Sequence, residues 1–295
     1  MSTKVSTDLI DLSSNTGGLV WAKGPTTDQP ASATAGEMRV DTTTNTTLVY
    51  NGTQWKTLKE TAFVVPPIPT HFLVIAGGGG GGGQQNSGGG GAGGFRTSYS
   101  TTGGGGSAES TINISLNTAY TITVGAGGAG ASPYNIGSNG FDSLFATVTS
   151  TGGGGGGGVG VNGASGGSGG GAAYLSSSPG VAVTTPVVQG YDGGTGVNAG
   201  ANYGSGGGGG AGGLGQNGTS SAVGNGGAGL ASSITGSSVT RASGGSGGGN
   251  SITPIATPGG GSINTSDATP NTGGGGGGAS NLPTPYTTSG KSGGS

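Results

Sequence analysis

The chain contains no cysteine and a single histidine, His71. Thiolate zinc or iron–sulfur centres and any disulfide framework are therefore excluded. A histidine-based triad or metal site has one imidazole to draw on. Charge is scarce too: 8 basic and 10 acidic residues in 295 leave a net charge of −2. Eight scattered cations do not build the basic surface that nucleic acid requires, so no nucleic-acid partner is expected. No apolar run approaches the roughly 18 residues of a spanning helix, so no membrane insertion is expected. The opening residues, Met1 to Leu12, lack the apolar stretch of a secretory signal, and export by that route is not expected.

What the chain has instead is glycine, 80 residues of 295, against an ordinary share of about 7%. Nearly all of it follows residue 76, whereas 11 of the 18 charged residues and both tryptophans, Trp21 and Trp55, lie in the first 60. The composition therefore divides the chain. Residues 1–35 read as an extended N-terminal arm, 36–65 as a small β-meander, 66–70 as a Pro-rich linker and 71–295 as a glycine-rich domain.

The arm is rich in Ser, Thr and Pro, with Leu19, Val20 and Trp21 as its main apolar cluster. Those three are the candidate attachment residues; the alternative is a disordered terminus. In the meander, Glu37–Asp41 and Thr47–Tyr50 alternate around a polar turn, and Asn51-Gly52 is a tight-turn dipeptide before Gln54–Leu58. Three short strands have little core of their own and would gain from packing on a neighbour or from trimerisation.

In the glycine-rich part, Phe72–Ile75 runs straight into residues 77–83, and Leu144–Thr149 into residues 152–158. Thr111–Leu116 and Tyr120–Val124 alternate around Asn117-Thr118 and read as a half-buried hairpin. Further glycine tracts recur at 166–171, 206–210, 244–249 and 273–278. Flexible linkers are the usual role of such sequence, but linkers need no apolar strand at their entrance. The favoured reading is a bundle of polyglycine II helices, three residues per turn and roughly 22 Å for a seven-residue tract. Neighbouring backbones would hydrogen-bond to one another, apolar strands would clamp the bundle, and only Ala and Ser could interrupt the glycines. The expected fold class is all-β: a short N-terminal β-meander and extended arm, then a glycine-rich domain of β-strands and packed polyglycine II helices.

Two resemblances follow from these residues. Gly36, Met38, Arg39, Asp41, Thr42, Leu48, Tyr50, Gly52 and Trp55 resemble a joint or attachment module of trimeric bacteriophage fibres over about 23 residues. Phe72-Leu73-Val74-Ile75-Ala76-Gly77-Gly78, Ala92-Gly93-Gly94-Phe95-Arg96, Tyr120–Gly127 and Gly140-Phe141-Asp142-Ser143 resemble the glycine-rich domain of phage fibre and adhesin proteins. That family commonly closes on a Val-rich strand ending near Arg-Tyr; here the chain reads Gly293-Gly294-Ser295, and how the domain closes is left open.

Several motifs are refused. Gly125-Ala126-Gly127-Gly128-Ala129-Gly130 fits a dinucleotide fingerprint after a strand, but Ala131-Ser132-Pro133 follows where a helix must begin. Gly290-Lys291-Ser292 lacks the leading glycine of a phosphate loop, since position 285 is Pro285. Asp142, Asp192 and Asp267 are too isolated for calcium repeats. His71 reads as a polar junction residue. No enzyme activity, cofactor or metal is expected.

The resemblances imply a virion-surface protein, a homotrimer, bound at its N-terminus to another virion structural protein and carrying distal loops that contact a host cell-surface glycan or protein. Tyr134, Asn135, Tyr174, Tyr191, Tyr203 and Tyr286 are the candidate host-contact residues, because aromatic and amide side chains suit adaptable polar recognition. For each tyrosine the competing role is a loop anchor packed on glycine backbone. The competing function is a purely structural capsid-decoration or filament-forming protein.

Overall fold

The computed structural model describes residues 22–58, 66–175, 178–199, 203–250, 260–262, 266–280 and 291–295. Leu19, Val20, Trp21 and Tyr286 lie outside them. The described residues are nearly all β or extended; their helical content is two three-residue 3-10 turns, Thr26–Asp28 and Gly103–Gly105. The chain forms two compact units, Met1–Pro66 and Pro67–Ser295.

In the first unit, β1 (Ala22–Gly24), β2 (Met38–Asp41), β3 (Thr46–Tyr50) and β4 (Trp55–Thr57) form one sheet in that order. The three antiparallel strands of the meander are present, and β1 adds a parallel strand from the segment read as an arm. The turn after β2 closes because Asp41 Oδ1 accepts the N–H groups of Thr43 and Thr44, with Asn45 at φ 53°. The turn after β3 closes likewise: Asn51 Oδ1 accepts from Thr53 and Gln54, and Gly52 takes φ 97°. Residues 22–28 are held by side chains of β2. Arg39 donates to the carbonyls of Pro25 and Asp28, and Thr26 Oγ1 donates to Asp41 Oδ2 at 2.7 Å.

The second unit holds β5 (Ile68–Thr70), β6 (Leu73–Ile75), β7 (Phe95–Thr97), β8 (Ile112–Ile114), β9 (Ile122–Thr123), β10 (Ser143–Phe145), β11 (Val148–Ser150), β12 (Leu230–Ser232) and β13 (Val239–Arg241). Two expectations are corrected here. Residues 66–70 are not merely a linker, since β5 pairs with β8. The hairpin over 111–124 does not form: β8 pairs with β5, whereas β9 pairs with β10. Tyr120 accounts for part of the divergence, because its hydroxyl accepts the Ser115 N–H at 2.8 Å and closes the intervening loop without a ladder. Two small apolar clusters sit among the strands: Phe95 with Ala92, Ala211 and Ala242, and Phe72 with Val74 and Val148. Beside them, Arg96 pairs with Glu109 and donates to Thr149 O at 2.8 Å.

The rest of the unit is a lattice of glycine helices. Along residues 77–83 each N–H bonds to a neighbouring segment in rotation. Gly77, Gly80 and Gly83 donate to Phe141, Ser138 and Asn135; Gly78 and Gly81 to Gly294 and Lys291; Gly79 and Gly82 to Gly91 and Gly88. Three further segments donate back: Gly153 and Gly156, Gly128 and Ala131, Gly276 and Ala279. Steps of three on every side are the signature of a three-residue turn, and six neighbours surround the tract. Glycine is obligatory for steric reasons. At each residue of 77–83 an added Cβ would fall 2.0–2.2 Å from a neighbour's carbonyl oxygen. Residues 291–295 are themselves one of the six neighbours.

Candidate functional site

The hydrogen-bond ladder gives the lattice two ends. At one lie the strands and apolar clusters. At the other, polar loops reverse the chain between tracts. Gln84, Gln85 and Asn86 turn residues 77–83 back into 88–94, all three in the left-handed region at φ 53°, 43° and 52°. Three consecutive non-glycine residues there are uncommon, and Asn is the type that tolerates it best.

Asn86 organises its surroundings. Its carbonyl accepts the Tyr174 N–H at 3.2 Å and the Ser205 hydroxyl, and its Nδ2 donates to Asn250 Oδ1 at 2.8 Å. The Tyr174 and Tyr203 rings meet edge to face, centroids 5.5 Å apart. The buried side-chain oxygens Asn86 Oδ1 and Gln84 Oε1 have no hydrogen-bond partner. Tyr134 stands at the same end, exposed and left-handed at φ 64°, while Asn135 is fixed through its backbone: its carbonyl accepts from Gly83 at 3.0 Å.

Of the residues singled out in the sequence, Tyr134, Asn135, Tyr174 and Tyr203 thus gather at the loop end. Tyr191 does not. Its N–H donates to Gly210 O and its carbonyl accepts from Gly169, so it is a half-buried member of the lattice towards the strand end. Gln84, Asn86 and Asn250 escaped the sequence reading. The signal available for the first two was a polar Gln-Gln-Asn insert between two unbroken glycine tracts.

The loop end offers amide, phenol and hydroxyl groups on a rigid base, suited to hydrogen bonding and aromatic contact. Among the described residues no group of three His, Cys, Asp or Glu side chains could hold a metal ion, and no helix is long and apolar enough to cross a membrane. His71 Nδ1 sits 3.1 Å from Ser98 O, with its ring edge-on to Tyr99.

The profile of the glycine-rich domain family matches residues 57–295. No curated protein matches the chain.

Proposed function

This chain belongs to the glycine-rich domain family, and we propose that it is a bacteriophage virion fibre protein, a tail fibre or similar appendage. In this reading it attaches to the particle through its N-terminal part, assembles as a homotrimer and binds a host surface component through the loop end of the lattice. It carries out no catalysis and needs no cofactor.

The observation that supports the reading best is the gathering of Tyr134, Asn135, Tyr174, Tyr203 and the Gln84–Asn86 turn at one end of an interlocked backbone lattice. Such an arrangement separates a rigid scaffold from variable loops, the usual division in recognition proteins. The meander adds to it. The residues that carry its resemblance to fibre joints form the β2–β3–β4 sheet, with Tyr50 and Trp55 rings 5.4 Å apart and Arg39 5.9 Å from the Trp55 ring.

The test is a source phage carrying Tyr174→Ala and Tyr203→Ala. Adsorption to host cells should fall about 30-fold or more, as for loss of a contact hot spot, with particle number and morphology unchanged. Unchanged adsorption overturns the receptor role. Electron cryomicroscopy of the particle should show the loops outermost on an appendage; copies spread over a capsid lattice or along a continuous filament would establish the structural function instead.

A further inference from the structure

The chain holds five Asn-Gly dipeptides, at 51–52, 139–140, 162–163, 217–218 and 225–226. Such a pair can cyclise, because the glycine nitrogen can attack the asparagine side-chain carbonyl with no Cβ to obstruct it. The attack needs a glycine N–H free of other bonds and a carboxamide held beside it.

The lattice works against this at four of the pairs. Gly140, Gly163 and Gly218 commit their N–H groups to Gly153 O at 2.9 Å, Ser178 O at 3.2 Å and Thr195 O at 2.8 Å. Asn139 and Asn217 turn their side-chain oxygens to the N–H groups of Gly155 and Thr195. Gly226 is buried, with the Gly244 carbonyl oxygen 2.0 Å from where a Cβ would stand, and Asn225 Nδ2 donates to Gln216 Oε1 at 3.1 Å.

Asn51-Gly52 differs on each count. Both residues are exposed, and neither the Gly52 N–H nor Asn51 Nδ2 has a partner among the described residues. Asn51 Oδ1 accepts three hydrogen bonds, from Thr53 N–H at 3.0 Å, Thr53 Oγ1 at 2.8 Å and Gln54 N–H at 2.9 Å. The bond to Thr53 N–H closes a ring around the Gly52 peptide group, which keeps Asn51 Cγ beside the Gly52 nitrogen. The three donors polarise Cγ and are placed for negative charge on Oδ1, the arrangement of an oxyanion hole.

We propose that Asn51 is a self-modification site, where this turn promotes loss of the side-chain amide. Solvent base takes the Gly52 amide proton and the nitrogen bonds to Asn51 Cγ, placing the carbonyl electron pair on Oδ1. The pair returns as the Cγ–Nδ2 bond breaks, and the nitrogen leaves as ammonia with a proton from water. Water then opens the cyclic imide at one carbonyl to give aspartate, or at the other to give isoaspartate, whose main chain runs through the former side chain. Water and hydroxide are the co-reactants. Either product adds negative charge to the turn, and isoaspartate lengthens the backbone directly beside the Tyr50–Trp55 pair that joins β3 to β4.

The experiment incubates the full chain at mildly alkaline pH, folded and in urea. Mass spectrometry follows each Asn-Gly peptide, with electron-transfer fragmentation to tell isoaspartate from aspartate. In the folded chain Asn51 should convert while the other four are retained; in urea all five should convert at comparable rates. Thr53 is exposed, and Thr53→Val removes one of the three donors while keeping the backbone N–H. It should slow Asn51 about fivefold in the folded chain, as for loss of one hydrogen bond, and leave the rate in urea unchanged. Retention of Asn51 in the folded chain, or conversion of the lattice asparagines at the same rate, overturns the proposal. An unchanged rate in folded Thr53→Val, or equal slowing in urea, overturns it as well, by showing that the dipeptide alone sets the chemistry.

Discussion

A Cβ atom added at Gly80 would lie 2.1 Å from the carbonyl oxygen of Ala129. The same residue donates its N–H to Ser138 O at 2.9 Å, so the backbone has no freedom to withdraw. Gly80→Ala should therefore cost about 3 kcal/mol or more, the upper range of core overpacking. Gly213 is the control. Its nearest neighbour to an added Cβ is Ala228 N at 3.5 Å, so Gly213→Ala should be neutral or stabilising by up to about 1 kcal/mol. Thermal denaturation of the two variants separates steric exclusion from a general need for glycine.

The lattice buries peptide groups far more than hydrocarbon. Exposure of apolar surface raises the heat capacity on unfolding, whereas exposure of polar surface lowers it. The heat-capacity change of the glycine-rich unit should accordingly fall well below the usual ~12–15 cal/mol/K per residue. Scanning calorimetry gives the value directly, and an ordinary result would mean that the apolar clusters rather than the backbone ladder dominate.

Arg96 and Glu109 form an ion pair with side chains only 9% and 14% exposed. Glu109→Ala leaves the guanidinium with Thr149 O as its remaining acceptor and should destabilise the unit by about 3 kcal/mol. The paired variant Arg96→Met with Glu109→Leu should recover much of that loss, because replacing both charges removes the desolvation penalty. Denaturant titration of the three proteins measures the difference.

Asp41 titrates below its ordinary 3.8, chiefly because the Thr26 hydroxyl donates to it, with further help from the Thr44 and Thr43 groups against an opposing effect of burial. A carboxylate with a depressed folded value contributes stability that is present above the unfolded value and lost as pH falls through the folded one. The N-terminal unit should weaken below about pH 4, and Asp41→Asn should flatten that part of the profile. Both tryptophans lie in this unit, so tryptophan fluorescence during urea unfolding at several pH values reads it alone.

Much of the architecture could be read from local residues. The turn formers Asp41, Asn51 and Gly52 place the meander, and the apolar strands that lead into the tracts at 77–83 and 152–158 favour close backbone packing over a flexible linker. The pairing of β8 with β5 could not be read. Alternation in Ile112–Ile114 and Ile122–Thr123 says which face is apolar, not which strand lies alongside. The separation of Tyr191 from the other tyrosines could not be read either, for a related reason. A tyrosine between glycines is the same in sequence whether its backbone belongs to a loop or, as here, bonds to Gly210 and Gly169.

Packing through the backbone was the favoured reading of the residues alone, since long runs without side chains allow close approach of backbones and the charge and cysteine counts offer no ionic or disulfide staple. Which tract neighbours which was settled only in three dimensions, and with it that Gln84–Asn86, Tyr134, Tyr174 and Tyr203 share one end while the strands and apolar clusters lie at the other. The physical reason lies in glycine. A glycine N–H meets any carbonyl equally well, so the partners of residues 77–83 are set by the sum of loop lengths, strand clamps and six mutually consistent neighbours rather than by any local residue.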